Sequence, residues 1–438
     1  MQTKQKDSAL VWFRNDLRIA DQKSLYTACK KHPQVYAVYC FDPRHYATTS
    51  YGFKKTEKFR AQFLIESVKQ LKQNLKTKLG IDLLVFKAQP EDKIPELVEQ
   101  FNITNLYSQK EWTVEEFLVY SKIKSRCSLL KTQTFFDQML YHPKDIPFSF
   151  NQIPEVFTAF RKKVEKEAKV RACLPLPQKN YHQALSEHSE AIPTLEELGL
   201  NSFKPDSRTA FPFKGGEQEA SKRIQDYLWK TQKLSVYKKT RNGLLGADYS
   251  SKLSAWLANG CISARQIYWE VKKYEEEIIK NESTYWLIFE LLWRDFFKYI
   301  SLKHGNSIFK QSGIRKEKLT WHNNPQVFEQ WRQGKTAEPF VNANMIELAQ
   351  TGFMSNRGRQ NINSYWAKEL KQDWRKGAAY LESMLIDYDV HSNWGNWMYN
   401  SGVGNDPRDR KFNIKSQANR YDASGKYQQT WLQNKLFS

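Results

Sequence analysis

The hydrophobic pattern divides the chain into parts with different periods. Near the start, Leu10-Val11-Trp12-Phe13, the stretch from Val35 to Phe41 and the stretch from Leu83 to Phe86 are short apolar runs, the second rich in aromatic and β-branched residues. Between the last two, Leu64, Val68, Leu71 and Leu75 recur at helical spacing. Apolar strands alternating with amphipathic helices predict a parallel sheet covered by helices, here a Rossmann-like α/β domain over residues 1–138. From 139 to 205 the pattern dissolves. Pro143, Pro147, Pro154, Pro175, Pro177 and Pro193 punctuate it, which suits a long connector wrapping between domains. Beyond Gly215-Gly216 no strand alternation remains, so residues 206–438 are predicted to be an all-α domain. Trp286, Phe289, Trp293 and Phe297 form a single apolar face on one of its helices.

Composition sharpens this picture. A length of 438 residues suits two to three domains, and 40% hydrophobic residues allow a large core. Lys and Arg total 68 against 47 acidic residues, a formal charge of +21, which points to a polyanionic partner, with nucleic acid first. The other reading is a merely soluble basic protein. The 14 Trp, 22 Tyr and 26 Phe suit base stacking or a flat cofactor, with most of these rings expected simply in the core. Cys29, Cys40, Cys127, Cys173 and Cys261 offer no CxxC pair, and their odd number suits a reducing cytoplasm. The eight histidines form no HExxH-like cluster, so no metal site is expected. The opening MQTKQKDSALVWF lacks the apolar stretch of a secretion signal, and no segment reaches membrane-span length.

Three windows concentrate chemistry. Ser250, Ser251, Leu253 and Ser254 precede a helical pattern containing Trp256 and Leu257. Hydroxyls there either cap free N–H groups or leave them to hold a phosphate. The window Thr351 to Arg359 carries an amide and two guanidiniums, and Asp387 and Asp389 follow downstream. Carboxylates two apart do not share a helix face, so these two serve different partners. An Arg–Asp pair here is either a structural salt bridge or a clamp on a ring bearing donors and acceptors. Glu290 lies on the aromatic face and needs a partner if buried. Arg294, one turn later, offers one, and a hydrogen bond to a nucleobase is the alternative.

Val11-Trp12-Phe13-Arg14-Asn15-Asp16-Leu17-Arg18 resembles the N-terminal signature of photolyases and cryptochromes. So do Gly215-Gly216-Glu217, Ser250 to Ser254, Thr351 to Arg359 and Asp387 to Trp397, in family order and spacing over nearly the whole chain. Tyr237-Lys-Lys-Thr-Arg-Asn-Gly, the run from Phe289 to Phe297, Asn356-Arg-Gly-Arg-Gln360 and the run from Gly402 to Arg408 look like the DASH branch. The resemblance implies an antenna-binding α/β domain and a helical domain holding a U-shaped FAD. Tyr237, Ser250, Ser251, Leu253 and Ser254 would bind its diphosphate region. Arg359 would pair with Asp387 beside the flavin, Asp389 would lie near the pyrimidine edge, and Asn356 close by. Asn393 would face N5, where a neutral amide accepts from a protonated N5 and supports the fully reduced flavin. Trp397, Trp374 and Trp321 match a tryptophan relay, with plain packing as the bland alternative.

The implied activity is that of a deoxyribodipyrimidine photo-lyase, a carbon–carbon lyase that splits cyclobutane pyrimidine dimers. Glu290 is the matched group for bonding a flipped thymine, and Trp293 the stacking wall. Gln360 stands where double-strand enzymes carry Met, and Tyr399 where they carry Trp. The smaller ring gives less stacking surface, so single-stranded or looped DNA is the expected partner, with RNA an alternative polyanion, and the chain is expected to be a cytoplasmic monomer. Arg357 and Lys252 are candidate groove contacts. Methenyltetrahydrofolate is the implied antenna, with Glu66 and Glu111 as its candidate hydrogen-bond partners; solvated surface glutamates are the competing reading. Paired histidines expected of six-four enzymes are not evident. The rival function is a blue-light photoreceptor, weakened by the chain ending soon after Trp431-Leu432 with no signalling tail in view.

Overall fold

The computed structural model describes residues 7–178, 181 and 185–433. Its first half holds β1 (Ser8–Trp12), α1 (Lys23–Lys31), β2 (Gln34–Cys40), α2 (Lys58–Leu79), β3 (Leu83–Phe86), α3 (Pro90–Gln100), β4 (Asn105–Gln109), α4 (Val114–Arg126) and β5 (Lys131–Phe135). All strand pairs are parallel, in the order β3-β2-β1-β4-β5. The pleat sends alternate residues to opposite faces. Val11, Ala37 and Val85 meet Leu25, Val68 and Leu71 of α1 and α2, whereas Leu10, Val38 and Leu84 meet Ile94, Leu97 and Ile123 of α3 and α4. Both faces are therefore covered, and the three apolar runs read from the sequence are β1 to β3.

The proline-rich stretch is not structureless. It carries α5 (Phe157–Glu167), whose Phe157, Phe160 and Val164 are buried. The helical half follows with α6 (Glu217–Ile224), α7 (Tyr237–Thr240), α8 (Ser254–Ala258), α9 (Ala264–Glu277), α10 (Glu282–His304), α11 (Pro325–Arg332), α12 (Pro339–Thr351), α13 (Asn356–Ser364), α14 (Trp374–Met384), α15 (Val390–Ser401), α16 (Ile414–Tyr421) and α17 (Lys426–Leu432). No helix among the described residues is long and apolar enough to cross a membrane. On α10 the core face is Leu287, Ile288, Leu291, Leu292 and Phe296. The face expected to be the apolar one is different in kind: Trp286, Phe289 and Trp293 stay half-buried and only Phe297 is buried. That face packs against the core from its rim and leaves part of each ring open.

Two clasps lock the halves together. At Gly215 a Cβ would sit 2.1 Å from the Phe63 carbonyl oxygen, so only glycine lets this turn lie on α2. Glu217 then accepts from the backbone N–H groups of Ile19 (3.1 Å) and Ala20 (3.0 Å). The second clasp is a buried charge network. Arg265, at the start of α9, bonds Asp21 (2.8 Å) and Asp137 (2.7 Å), and Arg18 bonds Asp137 (3.0 Å) and the Gly260 carbonyl (3.0 Å). All four side chains are nearly inaccessible. Asp137 touches both guanidiniums, so its loss strands two buried cations. Asp137→Ala is expected to cost about 3–5 kcal/mol, read as a lower urea midpoint in equilibrium unfolding.

Candidate functional site

Arg223 shapes the Ser250–Ser254 segment from behind. This α6 side chain is buried; its Nε donates to the Ser251 carbonyl (2.9 Å) and its Nη2 to those of Ala247 (3.0 Å) and Ser250 (3.2 Å). With the carbonyls turned to Arg223, the hydroxyls of Ser250, Ser251 and Ser254 make no hydrogen bond to the described residues. Leu253 is the residue before α8, which begins without a side-chain cap. Capping, one of the two readings of these serines, is thus not what they do. Lys252 corrects another expectation. It is no groove residue but buried, at φ +61°, with its Nζ 3.1 Å from the Tyr249 ring centroid and lacking any hydrogen-bond partner. Burial holds its ammonium well below the usual lysine range. The Tyr249 hydroxyl is orphaned as well. Buried unpaired polar atoms are costly, and here they gather with three idle hydroxyls. That donor set fits the diphosphate region of FAD.

The ring-facing residues are held with similar definition. Arg359 Nη2 bonds both Asp387 oxygens at 2.9 Å. Asp389 caps α15 through Ser392 N–H (2.8 Å) and pairs with Lys298 of α10 at 2.7 Å. The two carboxylates do serve different partners. Burial alone would raise the Asp389 carboxyl, but Lys298 and Arg294 overcome it and hold it well below the usual range. Asn393 donates its Nδ2 to the Ala378 carbonyl at 3.0 Å. A carbonyl only accepts, so the amide orientation is fixed and Oδ1 is the outward, accepting end. Asn356 is exposed on the first turn of α13. Tyr237 is buried at the start of α7, its phenol pushed up by burial and by the nearby Glu290 carboxylate.

Glu290 does not pair with Arg294. That guanidinium turns to the backbone carbonyls of Gln138 and Leu257. Glu290 is held instead by Arg241, four residues after Tyr237, while burial pushes its carboxyl up. Trp293 has one face covered: Phe157 of the connector stacks on it at 3.7 Å and 14°. Tyr399 meets Trp293 edge-on at 5.9 Å and accepts at its hydroxyl from Arg410 (2.6 Å). Gln360 is half-buried and makes no side-chain hydrogen bond. Arg357 lies across the Tyr421 ring (4.5 Å) and donates to Asn242 (3.2 Å).

The relay indoles are all in the helical half. Trp397 and Trp374 are fully buried and Trp321 is half-buried. They are not in ring contact with one another: Trp397 meets Trp331 at 6.3 Å and Trp374 meets Trp394 at 5.7 Å.

Of the two antenna candidates, Glu66 is otherwise engaged. Its Oε2 accepts from Gly215 N–H (2.7 Å) and its Oε1 from Gln62 (2.9 Å), so it fastens the glycine turn to α2. Glu111 accepts from Gln109 (2.7 Å) where the two halves face each other. Beside it Trp112 stacks on His391 of α15 at 4.5 Å, and both bond the Ser301 hydroxyl (2.8 and 2.7 Å). A separate cleft of about 1010 Å³, lined by Lys78, Glu217, Gln218 and Trp229, holds none of the predicted site residues. Sequence reasoning missed Arg223, Lys298, Phe157 and Arg241. Only Arg241 left a local signal, one helical turn after Tyr237 and basic.

Comparison with known proteins agrees with this geometry. Residues 9–180 match the DNA photolyase family, and residues 286–435 match the FAD binding domain of DNA photolyase. The cryptochrome DASH of Gloeobacter violaceus is 49% identical, aligned over 97% of this chain and 85% of its own length. That of Xenopus laevis is 46% identical over 96% and 81%. The solved Synechocystis cryptochrome superposes with a TM-score of 0.93 at 45% identity, covering 98% of this chain and 89% of that one. A bacterial class III photolyase from Agrobacterium tumefaciens reaches 0.84 at 24% identity over 98% and 87%, a likeness of fold.

Next to Glu111, Glu116 has an orphaned buried oxygen, and burial pushes its carboxyl to about 7. The folded chain therefore holds a proton that the unfolded chain releases near pH 4.3. Its penalty on stability grows as pH rises from there through about 7 and then levels off. Glu116→Gln is expected to be more stable than the parent at pH 8 by about 1–3 kcal/mol and equal to it at pH 4, checked by urea unfolding at both values.

Proposed function

This chain belongs to the photolyase/cryptochrome family, in its cryptochrome DASH branch, and from that premise we propose that it repairs cyclobutane pyrimidine dimers under blue light, preferring single-stranded or looped DNA. The observation that supports this best is Glu290. It is a carboxyl pushed up by burial, steadied by Arg241 and set on an aromatic wall with Trp293. Such a group hydrogen-bonds a base edge, and a solvated structural pair needs no such wall.

Bound reduced FAD supplies the light-driven electron. The chain supplies the rest. Ser250, Ser251, Ser254, Tyr237 and Lys252 hold the diphosphate region. Asn393, its Nδ2 given to the Ala378 carbonyl, would offer Oδ1 as an acceptor toward flavin N5. Arg359–Asp387 and Lys298–Asp389 fix the charges beside the ring. Glu290 bonds the extruded pyrimidine while the free face of Trp293 stacks on it. Tyr399 presents a phenol where an indole would offer more surface, and its hydroxyl is tied to Arg410, so extrusion from a duplex is poorly compensated. Gln360 and Asn356 line the same approach. Trp397, Trp374 and Trp321 carry electrons inward from the surface. Glu111 receives the pterin of a methenyltetrahydrofolate antenna between the two halves. The +21 charge, with Arg357 at the rim, holds phosphates of DNA or RNA and makes binding fall steeply with salt.

The test is dimer repair after photoreduction, on single-stranded, looped and duplex substrates. Repair is expected on the first two, and Glu290→Ala is expected to slow it about ten- to a hundredfold, on the order of 1.4–2.7 kcal/mol. Normal photoreduction without repair on any substrate would instead assign the chain to light sensing.

A further inference from the structure

We propose that Trp331 and Tyr380 form a second electron-donor branch from Trp397, ending in a tyrosyl radical at a solvent cavity. The inference rests on flavin occupying the site described above, and it concerns how that site is supplied with electrons.

The ring geometry points this way. Trp331 of α11 is the indole in ring contact with Trp397, 6.3 Å between centroids and 72° between planes. Trp331 in turn meets Tyr380 of α14 at 5.8 Å. Two short steps thus connect Trp397, one helical turn after the predicted N5 residue, to Tyr380. Trp331 also packs on Trp366 at 4.7 Å, and two indoles this close share a positive charge better than one.

The proton balance decides where the charge comes to rest. Trp397 and Trp331 are fully buried, and neither Nε1 has a hydrogen-bond partner. An indole radical cation at either place cannot lose its proton, so it is refilled by the next ring. Trp366 donates its Nε1 to the Asp373 carbonyl (2.9 Å), which is no base. Tyr380 differs. It lines a cavity of about 360 Å³ together with Arg332, Gln333, Lys335 and Gln350, and its hydroxyl makes no hydrogen bond to the described residues. Burial keeps the resting phenol protonated, at about 12. Once an electron leaves, the phenol is strongly acidic and water in the cavity takes the proton. Arg332 disfavours a positive ring, but Glu329, which pairs with it (2.7 Å), and Glu57 offset that, so loss of the proton rests on access to the cavity.

The sequence balances. Trp397 gives one electron to the photoexcited oxidised flavin. Trp331 gives one to Trp397. Tyr380 gives one to Trp331 and its phenolic proton to water. An external thiol then returns an electron and a proton to the Tyr380 oxygen. On the other route Trp374 donates its Nε1 to the Gln311 carbonyl (3.0 Å), and the matched terminal residue is Trp321 rather than a tyrosine.

The experiment uses the full chain loaded with oxidised FAD, with ring-deuterated tyrosine, illuminated and frozen without thiol for electron paramagnetic resonance. A deuterium-narrowed tyrosyl signal is expected in the parent and in Trp374→Phe, and it disappears in Tyr380→Phe and Trp331→Phe. With thiol present, Trp374→Phe is expected to photoreduce within about tenfold of the parent, and the double variant Trp374→Phe/Trp331→Phe to fall far below either single change. Flavin absorption before illumination verifies that each variant is folded and loaded. Complete loss of photoreduction in Trp374→Phe, or a tyrosyl signal unchanged in Tyr380→Phe, overturns the branch alone. A parent chain that takes up no FAD overturns this inference together with the proposed function.

Discussion

Four charged side chains sealed between the two halves govern everything else in this molecule. Arg18, Asp21 and Asp137 come from the α/β side and Arg265 from the start of α9. Bringing them out of water is expensive, and only close, multiply bonded geometry offsets the cost. The halves are therefore restricted to the one mutual placement that satisfies all four groups. That placement carries α10 against the start of the connector, where Asp295 accepts from the N–H groups of Leu140 and Tyr141. It also sets Trp112 on His391. The wall of the site and the junction with the antenna side both descend from it.

Within that frame the site carries polar atoms that the protein alone does not satisfy. Most buried polar groups are paired, as they must be, and the described exceptions are spread along the chain. Those at the site are Lys252 Nζ, the Tyr249 hydroxyl, Arg357 Nε and Arg241 Nε. What sets this group apart is its position beside the serine segment and the Arg359–Asp387 pair. The flavin expected from the family supplies the anionic and accepting groups that this region lacks.

Much of this was legible in the chain itself. Short continuous apolar runs marked β1 to β3, and the motif windows marked the serine segment, Arg359, Asp387 and Asn393. What could not be read is long-range pairing. Glu290 has a nearer candidate in Arg294, but its partner Arg241 is 49 residues away. Glu66 reads as a free glutamate on an amphipathic helix until the Gly215 turn arrives from 149 residues downstream. Lys252 reads as surface charge because nothing in its neighbours announces the left-handed backbone that turns it inward. Helix α5 is masked by prolines on either side, and its apolar face makes sense only once α10 is beside it.

Phe157 gives that last contact a wider meaning. The aromatic wall is not made by the helical half alone; one of its two stacked rings belongs to the connector. The ring that backs Trp293 therefore lies on a short linking helix, so an exchange there would reshape this face while leaving the Arg359–Asp387 and Lys298–Asp389 pairs untouched.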